Sequence, residues 1–484
     1  MRVFLLYICM YDVIIIGAGV TGAFISRNLS FYKLKVLLID KENDVGNVTS
    51  NANSAIIHSG YDPLPGSLKA KFNVLGNQMY DDVSKELDVH FSRIGSITVA
   101  TSEEQMKTLE ELLIRSKQNG VESTILNQEE LRKLEPNISK DALGGLLAPT
   151  AGIIDPFNLV IHCVENALDN GVELKINECV NDIKDLNDYF EVTTSKGVYQ
   201  SKIVVNAAGL GSEKIARMVE DVSWKMTPRK GEYFVLDHYA LGLVNHTIFP
   251  LPSAKGKGVL VSLTSSNNYI VGPSSEPVDD SDDFSTDSLT LNQIKAQAKD
   301  LVPAIPYNQM IRVFSGIRPT TTRHDFIIEY SKKNKRFINV AGIESPGLVS
   351  APAIAQYVVD ELISPLIKLE KDEKASRYVR KYLRPNEMNE EERNELIKSN
   401  PDYGHMICSC EKVSLGEIKD LFTRSIKPLT VKAVKKRVRA GFGKCQGGFC
   451  SPLVTLILAK QYNLPLTDIK WDKEGSEILL EEIK

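Results

Sequence analysis

One short stretch near the start of the chain restricts the fold more than any other feature. An apolar run, Val13 to Ile16, leads into the glycines of Gly17-x-Gly19-x-x-Gly22, a helical pattern and a second apolar run that ends at Asp40. The apolar runs predict parallel strands that are buried on both faces. The glycines allow close approach to a pyrophosphate at the helix N-terminus, and the acid can accept hydrogen bonds from ribose hydroxyls. The stretch therefore predicts a Rossmann-type α/β domain that binds a dinucleotide.

Length and charge narrow the class of protein further. With 484 residues the chain exceeds a single ordinary core, so we expect two or three domains. Its net charge of −4 argues against general attraction to nucleic acid. No apolar run reaches the roughly 18–20 residues of a membrane span. The apolar N-terminus runs into the first strand without a small-residue cleavage site, so we expect a cytoplasmic protein whose fold starts near Met10.

Four of the seven cysteines form two close pairs, Cys408-x-Cys410 and Cys445-x4-Cys450. The odd total does not suit a secreted disulfide framework. Four thiolates are the usual ligands of a [2Fe–2S] cluster. Zinc is the main alternative, although its structural sites favour C-x2–4-C pairs, and a redox dithiol is a third possibility. If the cysteines hold a cluster, it passes electrons singly whereas nicotinamide passes a hydride, so FAD, which does both, is the consistent dinucleotide.

The segment between the cysteine pairs predicts short helices. Ser414 and Glu417 form a capping-box pattern, while Thr430 precedes "VKAVKKRVRA", a helix that we expect to end at Gly441. The basic side chains of this helix indicate a solvated face, or alternatively a surface that docks an acidic electron-transfer partner.

Several stretches resemble known families. "CSCEKV" and "GKCQGGFC" resemble the bacterioferritin-associated-ferredoxin-like (BFD-like) [2Fe–2S] module at the C-terminus of anaerobic glycerol-3-phosphate dehydrogenase large subunits. "TSNANSAIIHSGYDPLPGSLKAKFNVLGN" resembles the flavin-contacting loop of glycerol-3-phosphate oxidases and dehydrogenases, and that of L-2-hydroxyglutarate dehydrogenases. All belong to the D-amino-acid-oxidase-like superfamily. The resemblance covers nearly the whole chain past Met10.

The resemblance implies three residues that act on the substrate. His58 would take the hydroxyl proton as hydride leaves carbon for the flavin, while Arg318 in "GIRP" and Lys257 would hold an anionic group. A neutral imidazole suits the first role, and a guanidinium fork matches a phosphate or carboxylate. The alternatives are a hydrogen-bonded core histidine between apolar neighbours and a surface salt bridge for Lys257.

The resemblance also implies the residues that contact FAD. They are Gly17, Gly19, Gly22, Asp40, Thr49, Ser50, Asn51, Ser54, Ala208, Gly209, Gly342, Gly347 and Leu348. Asp40 stands where many relatives carry Glu, a change that should preserve ribose binding. "NAAG", which contains Ala208 and Gly209, is by itself also compatible with an ordinary strand-to-helix turn.

The order of these motifs predicts an interleaved layout. We expect an FAD-dependent oxidoreductase over 10–365, a helical linker over 366–400 and a small helical BFD-like module over 401–484. Within the first part, the flavin-binding pieces fall at about 10–80, 145–215 and 312–365. An α+β substrate domain takes about 81–144 and 216–311.

The sequence thus predicts an FAD-dependent dehydrogenase that oxidises sn-glycerol 3-phosphate to dihydroxyacetone phosphate. Electrons would leave through the [2Fe–2S] cluster to acceptor protein subunits, which could also bring the enzyme to a membrane. An L-2-hydroxyacid dehydrogenase of the 2-hydroxyglutarate type is one alternative. A flavoprotein whose four cysteines form a zinc docking element is another, and an inactive flavin-binding scaffold is a third.

Overall fold

Two large sheets and a small helical module make up residues 10–252 and 258–481, the part of the chain that the computed structural model describes. The predicted α/β class is confirmed. None of the described helices is both long enough and apolar enough to cross a membrane.

The strands are, in chain order, β1 (Met10–Ile16), β2 (Val36–Ile39), β3 (Ile56–Ile57), β4 (Phe91–Ser92), β5 (Ser96–Ala100), β6 (Thr124–Asn127), β7 (Gly144–Ala148), β8 (Gly152–Ile154), β9 (Glu173–Lys175), β10 (Val180–Asp185), β11 (Phe190–Thr194), β12 (Val198–Asn206), β13 (Arg229–Leu236), β14 (Thr247–Phe249), β15 (Leu260–Leu263), β16 (Tyr269–Gly272), β17 (Glu276–Pro277), β18 (Met310–Arg318), β19 (Ile327–Tyr330), β20 (Phe337–Ala341), β21 (Met406–Cys408) and β22 (Val413–Ser414).

The helices are α1 (Val20–Leu29), α2 (Leu68–Glu86), α3 (Glu103–Gln118), α4 (Gln128–Leu134), α5 (Pro156–Asp169), α6 (Ser212–Arg217), α7 (Ser288–Leu301), α8 (Gly347–Tyr357), α9 (Glu390–Ser399), α10 (Leu415–Leu421), α11 (Val431–Val438) and α12 (Cys450–Tyr462).

The first sheet is built around β1. It has eight strands, with β12 and β2 parallel to β1 on either side, β9 parallel to β2, and β20 parallel to β12. Val13, Ile14 and Ile15 are completely buried, as expected for a strand with helices on both faces of the sheet. Helices α1, α5 and α8 pack together on one face. Parallel strands place their carboxyl ends at one edge of the sheet, where ligands bind in open α/β folds.

The second sheet has nine strands and is mostly antiparallel, in the order β17-β13-β16-β15-β14-β5-β7-β6, with β18 also paired to β13. Two of its strands differ from the predicted boundaries. β7 and β18 each overlap the start of a segment that we expected to belong to the flavin-binding part, 145–215 for β7 and 312–365 for β18. Each pairs along its full length with a strand of the second sheet, β7 with β5 and β18 with β13, so interstrand hydrogen bonding determines where they belong.

A third core holds the C-terminal module together. It includes Ile418, Leu421, Val434, Val454 and Leu458, all nearly or completely buried. The predicted capping box of Ser414 and Glu417 is confirmed at the start of α10, and Thr430 accepts from the Ala433 amide at the start of α11. That helix ends earlier than predicted, because Arg439 already adopts the left-handed conformation (φ +67°) before Gly441.

The linker differs from the prediction. Its α-helix covers only Glu390–Ser399, and apart from a 3-10 turn at Pro385–Glu387 the preceding residues run without regular structure along the first sheet's helical face. Arg424 of the module inserts there, with its guanidinium carbon 3.2 Å from the Tyr382 ring centroid and Nη1 3.3 Å from the Glu165 carboxylate. The ring of His162 also stacks on the Tyr382 ring, with the two ring centroids 4.2 Å apart. The charged linker therefore gains its conformation from tertiary contacts rather than from helix propensity.

Candidate active site and cysteine module

A single cavity of about 1490 Å³ begins at the carboxyl edge of the first sheet and continues under the second. Gly17 and Asp40 line one part of this cavity, and His58 and Arg318 line another part. Pockets for drug-sized ligands are usually about 300–1,000 Å³. The cavity therefore has room for a dinucleotide together with a small substrate.

The glycine turn after β1 has no space for side chains. Gly17 has a φ of +106°, and a Cβ there would lie 2.4 Å from the Ala207 carbonyl oxygen. A Cβ on Gly22 would lie 1.9 Å from the Gly17 carbonyl oxygen. These contacts keep α1 close to the sheet and leave its first amides beside the cavity, an arrangement that suits a pyrophosphate.

Asp40 lies at the end of β2, on the ribose side of that turn. Its two carboxylate oxygens accept hydrogen bonds from the amides of Ala18 (2.6 Å) and Glu42 (2.8 Å). Burial raises the pKa of Asp40 to about 6, and the two amide hydrogen bonds partly oppose that rise. Each oxygen keeps a second acceptor direction, so the carboxylate suits ribose hydroxyls as predicted.

The loop after β2 covers the start of α1. Ser50 Oγ accepts from the Val20 amide at 2.9 Å, and Thr49 Oγ1 donates to the Ile317 carbonyl at 2.9 Å, which ties the loop to β18. At Gly316 a Cβ would lie 2.1 Å from the Ala52 carbonyl oxygen, so β18 and this loop approach backbone to backbone.

Most of the residues predicted to contact FAD line this cavity. They are Gly17, Gly19, Asp40, Thr49, Ser50, Ser54, Ala208, Gly209, Gly347 and Leu348. Three others do not line it. Gly22 faces β1, Asn51 lines a second cavity, and Gly342 precedes the lining residue Ile343 at a positive φ of +65°.

His58 follows β3 and lines the cavity. Its carbonyl oxygen accepts from the side-chain amides of Asn73 (2.7 Å) and Asn77 (3.0 Å), both buried on α2. Its ring lies 5.9 Å from the Phe249 ring, centroid to centroid. The backbone of this histidine is thus held by two buried amides at a position that lines the cavity.

Arg318 ends β18 with its guanidinium between the two sheets. Nη2 donates to the Ser274 carbonyl at 3.1 Å, whereas the buried Nη1 has no hydrogen-bond partner among the described residues. A Cβ on Gly231 would lie 2.7 Å from Nη2, so that glycine makes the space for the guanidinium. A buried, unpaired guanidinium N–H is costly, and an anionic ligand would satisfy it.

Lys257 lies outside the described residues. Two other cavity-lining groups were missed by the sequence reasoning. Lys69 Nζ and Glu344 form an ion pair at 2.6 Å, and Tyr233 OH lies 3.2 Å from the Oγ of Ser54, a residue that was predicted. Nothing in the local sequence marks these partners, because they come from segments far apart in the chain.

The four clustered cysteines come together in two pairs. Cys410 Sγ and Cys445 Sγ are 3.8 Å apart, and the Cys450 thiol hydrogen-bonds to Cys408. That hydrogen bond lowers the pKa of Cys408 to about 6. Cys408 and Cys450 are buried, whereas Cys410 is exposed.

The backbone around the cysteines also suits sulfur ligands. The amides of Phe449, Gly447 and Gly448 hydrogen-bond to Cys445 and lower its pKa. At Gly443 a Cβ would lie 2.4 Å from the Cys410 Cβ, so only glycine allows that approach. The four thiols thus form two pairs, an arrangement that fits the two irons of a [2Fe–2S] cluster.

Two family models match the chain. Residues 12–361 match the FAD dependent oxidoreductase family (DAO), and residues 406–460 match the BFD-like [2Fe-2S] binding domain.

Known proteins resemble the chain over different lengths. A glycerol 3-phosphate dehydrogenase of Caloramator mitchellensis is 48% identical over 97% of this chain and 98% of its own. A glycerol 3-phosphate oxidase of Mycoplasma genitalium is 35% identical over 72% of this chain and 94% of its own. The FAD-bound, dithionite-reduced L-α-glycerophosphate oxidase of Mycoplasma pneumoniae superimposes with a TM-score of 0.73, at 30% identity, over 76% of this chain and 98% of its own.

Proposed function

Because the chain belongs to the DAO family of FAD-dependent oxidoreductases, we propose that it is a dehydrogenase that converts sn-glycerol 3-phosphate to dihydroxyacetone phosphate. It is an oxidoreductase of the glycerol-3-phosphate dehydrogenase/oxidase type, and its cofactors are FAD and a [2Fe–2S] cluster. We assign the oxidoreductase to about 10–365 and the cluster module to about 401–484.

One observation carries the choice of substrate and of dehydrogenase over oxidase. The 48% identity to a glycerol 3-phosphate dehydrogenase extends over 97% of this chain, whereas the match to the Mycoplasma genitalium oxidase covers 72% of it. The cysteine module supplies an exit for electrons that an oxidase, which reduces oxygen at its flavin, does not need.

Bound FAD supplies the acceptor for the hydride from C2, and the cluster carries electrons one at a time. The remaining work falls to side chains of the cavity. We assign to His58 the removal of the proton from the C2 hydroxyl, so that loss of hydride and proton leaves a ketone. Arg318, with its unpaired Nη1, holds the phosphate through a guanidinium fork.

We place the exit for electrons at the exposed side of the module. Cys410 is exposed, and Phe449, whose amide hydrogen-bonds to the adjacent, half-buried Cys445, is 85% exposed. An apolar ring beside an accessible cluster ligand suits a protein acceptor rather than a small dye alone.

An anaerobic titration tests this proposal. Glycerol 3-phosphate should bleach the flavin absorbance at micromolar to millimolar concentration, the usual range for enzyme substrates. Bleaching by L-2-hydroxyglutarate, and none by glycerol 3-phosphate, would instead establish the 2-hydroxyacid alternative. An unbleached flavin with either compound would favour an inactive scaffold.

Metal analysis of anaerobically purified protein tests the electron exit. We expect iron and acid-labile sulfide, each at two per chain, as a [2Fe–2S] cluster requires. One zinc without iron would replace the electron exit with a docking element and leave flavin reduction unaffected.

A further inference from the structure

A second cavity, of about 600 Å³, lies where the C-terminal module meets the two sheets. Its walls come from the loop at 51–55, the start of α5, β18 and α11. It contains none of the four clustered cysteines, and neither His58 nor Arg318 lines it. It shares residues 52–55 with the first cavity, but the proposed reaction assigns no role to its other walls, β18 and α11.

The most unusual group in this cavity is Lys435 on α11. Its side chain is only 4% exposed, yet it forms no hydrogen bond or ion pair with the described residues. Its ammonium lies 4.6 Å from the Phe442 ring centroid and 5.7 Å from that of Trp471. Aromatic faces compensate only part of the cost of burying a charge.

The other basic side chains of α11 and its C-terminal cap each have an acidic partner. The pairs are Lys432 with Asp472, Lys436 and Arg437 with Asp44, and Arg439 with Glu411. Lys435 is thus the exception on a helix whose charges are otherwise neutralised within the described part of the chain.

Arg312 on β18 brings a second cation to the same cavity. Arg312 is exposed at the rim of the cavity and also has no ion pair among the described residues, and partial desolvation lowers its pKa. Burial first, and then the charge of Arg312, lower the pKa of Lys435 to about 7, while Cys450 and Glu411 act in the opposite direction. Two unpaired cations on separate elements therefore repel each other across this space.

Acidic residues that line the cavity do not relieve this repulsion. Asp155 caps α5 by accepting from the amides of Phe157 and Asn158, and Asp472 is paired with Lys432. Glu42 lies 3.8 Å from Lys41, and Asp282 is exposed at the rim. The cavity and its rim together keep a local excess of positive charge.

We propose that this cavity binds a doubly charged oxyanion of the phosphate or phosphate-ester class between Lys435 and Arg312. Hydroxyl groups of Thr264, Ser265 and Ser266 line the same space and can donate to its oxygens. The volume exceeds that of phosphate alone, so an ester group can also be accommodated. Arg312 and Arg318 lie on the same face of β18, six residues or about 20 Å apart, so this site is separate from the substrate site. Such a ligand would join β18 to the cluster module.

Calorimetry on the holoenzyme tests the site directly. The titration uses inorganic phosphate at constant ionic strength, in an Arg318→Ala background that removes the anion-binding guanidinium of the substrate site. We expect saturable binding at one site. Adding Lys435→Met or Arg312→Met should weaken it at least tenfold. Adding Lys427→Met, an exposed lysine of the same module, should not change it. Equal binding in all variants, or none in the background protein, would overturn the proposal.

The source of the phosphate is tested by comparing inorganic phosphate with a nucleoside monophosphate. Tighter binding of the nucleotide identifies an ester ligand, while equal or weaker binding identifies phosphate itself.

Melting of the holoenzyme with an intact Arg318 gives an independent measurement. Phosphate should raise the Tm of the wild-type and Lys427→Met proteins more than that of Lys435→Met. Without phosphate, Lys435→Met should melt no lower than the wild type, because methionine removes an unpaired buried charge at similar volume. A phosphate-dependent rise that is equal in all three proteins would contradict the site.

Discussion

The guanidinium of Arg437 meets the carboxylate of Asp44 through two parallel hydrogen bonds, Nη1 to Oδ2 and Nη2 to Oδ1, each 2.9 Å long. Lys436 Nζ lies 2.7 Å from the same carboxylate. All three side chains are buried, and the attraction of the two cations holds the pKa of Asp44 well below its usual range despite burial. This contact joins α11 of the module to the loop after β2, close to the dinucleotide turn.

Asp44→Asn should release the module from the flavin-binding sheet. The substitution leaves two buried cations without a counter-charge, which typically costs about 3–5 kcal/mol. We expect a lower free energy of unfolding in urea and faster proteolytic cleavage between residues 366 and 405. Asp402→Asn is the control. Its partner Lys419 is half exposed, so that change should cost less than about 1 kcal/mol. Similar losses of unfolding free energy in Asp44→Asn and Asp402→Asn would show that the buried contact stabilises the protein no more than the exposed one.

His58→Ala should lower kcat by about 100-fold or more, the usual contribution of a general base. The FAD content and visible spectrum should stay unchanged, because the carbonyl of residue 58, rather than its ring, accepts the Asn73 and Asn77 hydrogen bonds. His90→Ala is the matched control, since His90 pairs with Glu387 outside the cavity. Unchanged turnover in His58→Ala would show that His58 is not the base that takes the hydroxyl proton.

Arg318→Ala should raise KM for glycerol 3-phosphate by about 10–100-fold, as expected for the loss of charged hydrogen bonds worth about 1.5–3 kcal/mol. Steady-state kinetics with a dye acceptor measure this effect. Arg323→Ala removes an arginine whose partner is the exposed Glu329, and KM should not change. An unaltered KM in Arg318→Ala would place the anion elsewhere.

Cys410→Ser should separate the two halves of the reaction. We expect loss of iron and of the cluster absorbance, while glycerol 3-phosphate still bleaches the flavin at the wild-type rate. Reduction of a one-electron protein acceptor should then fall. Cys179→Ser changes a cysteine outside the module and should preserve the iron content and the cluster absorbance. Full iron content in Cys410→Ser would exclude this thiol as a ligand.

FAD affinity should depend on pH through Asp40. Its pKa is raised to about 6 by burial in the flavin-free protein, so the carboxyl gains a proton as pH falls through that value. Only the carboxylate accepts hydrogen bonds from ribose at both oxygens, so binding should weaken about tenfold between pH 7 and pH 5. Fluorescence titration of flavin-free protein measures the change. Asp40→Asn should bind FAD weakly, and its FAD affinity should depend little on pH. The same pH dependence in Asp40→Asn as in the wild type would refute the role of Asp40 in FAD binding.

The dinucleotide turn was predictable because its requirements are local. Gly17 has a φ of +106°, which favours glycine, and Gly22 must be glycine to avoid the carbonyl oxygen of Gly17 within the same turn. The helix caps at Ser414 and Thr430 were predictable for the same reason, since each involves atoms three residues apart. The sheet to which β7 and β18 each belong was not predictable, because pairing in a sheet depends on strands distant in the chain.

The basic helix α11 shows most clearly what could not be predicted from the sequence. From its residues, a solvated face or an external acidic partner were the two interpretations, and both are wrong for Lys436 and Arg437, which are buried against Asp44 of the same chain. The charge of a side chain is visible in the sequence, whereas its partner is not.

The sequence by itself determined the chemistry that this chain can hold: a glycine turn for a dinucleotide and two cysteine pairs for a metal–sulfur cluster. Those signals depend on covalent spacing and on short-range sterics. Tertiary structure alone decided which charges are neutralised and where the module docks, because Asp44 and Arg437 are 393 positions apart and meet only when separate cores pack together. It also left Lys435 and Arg312 without ion-pair partners among the described residues, because pairing depends on everything around a side chain rather than on its neighbours in sequence.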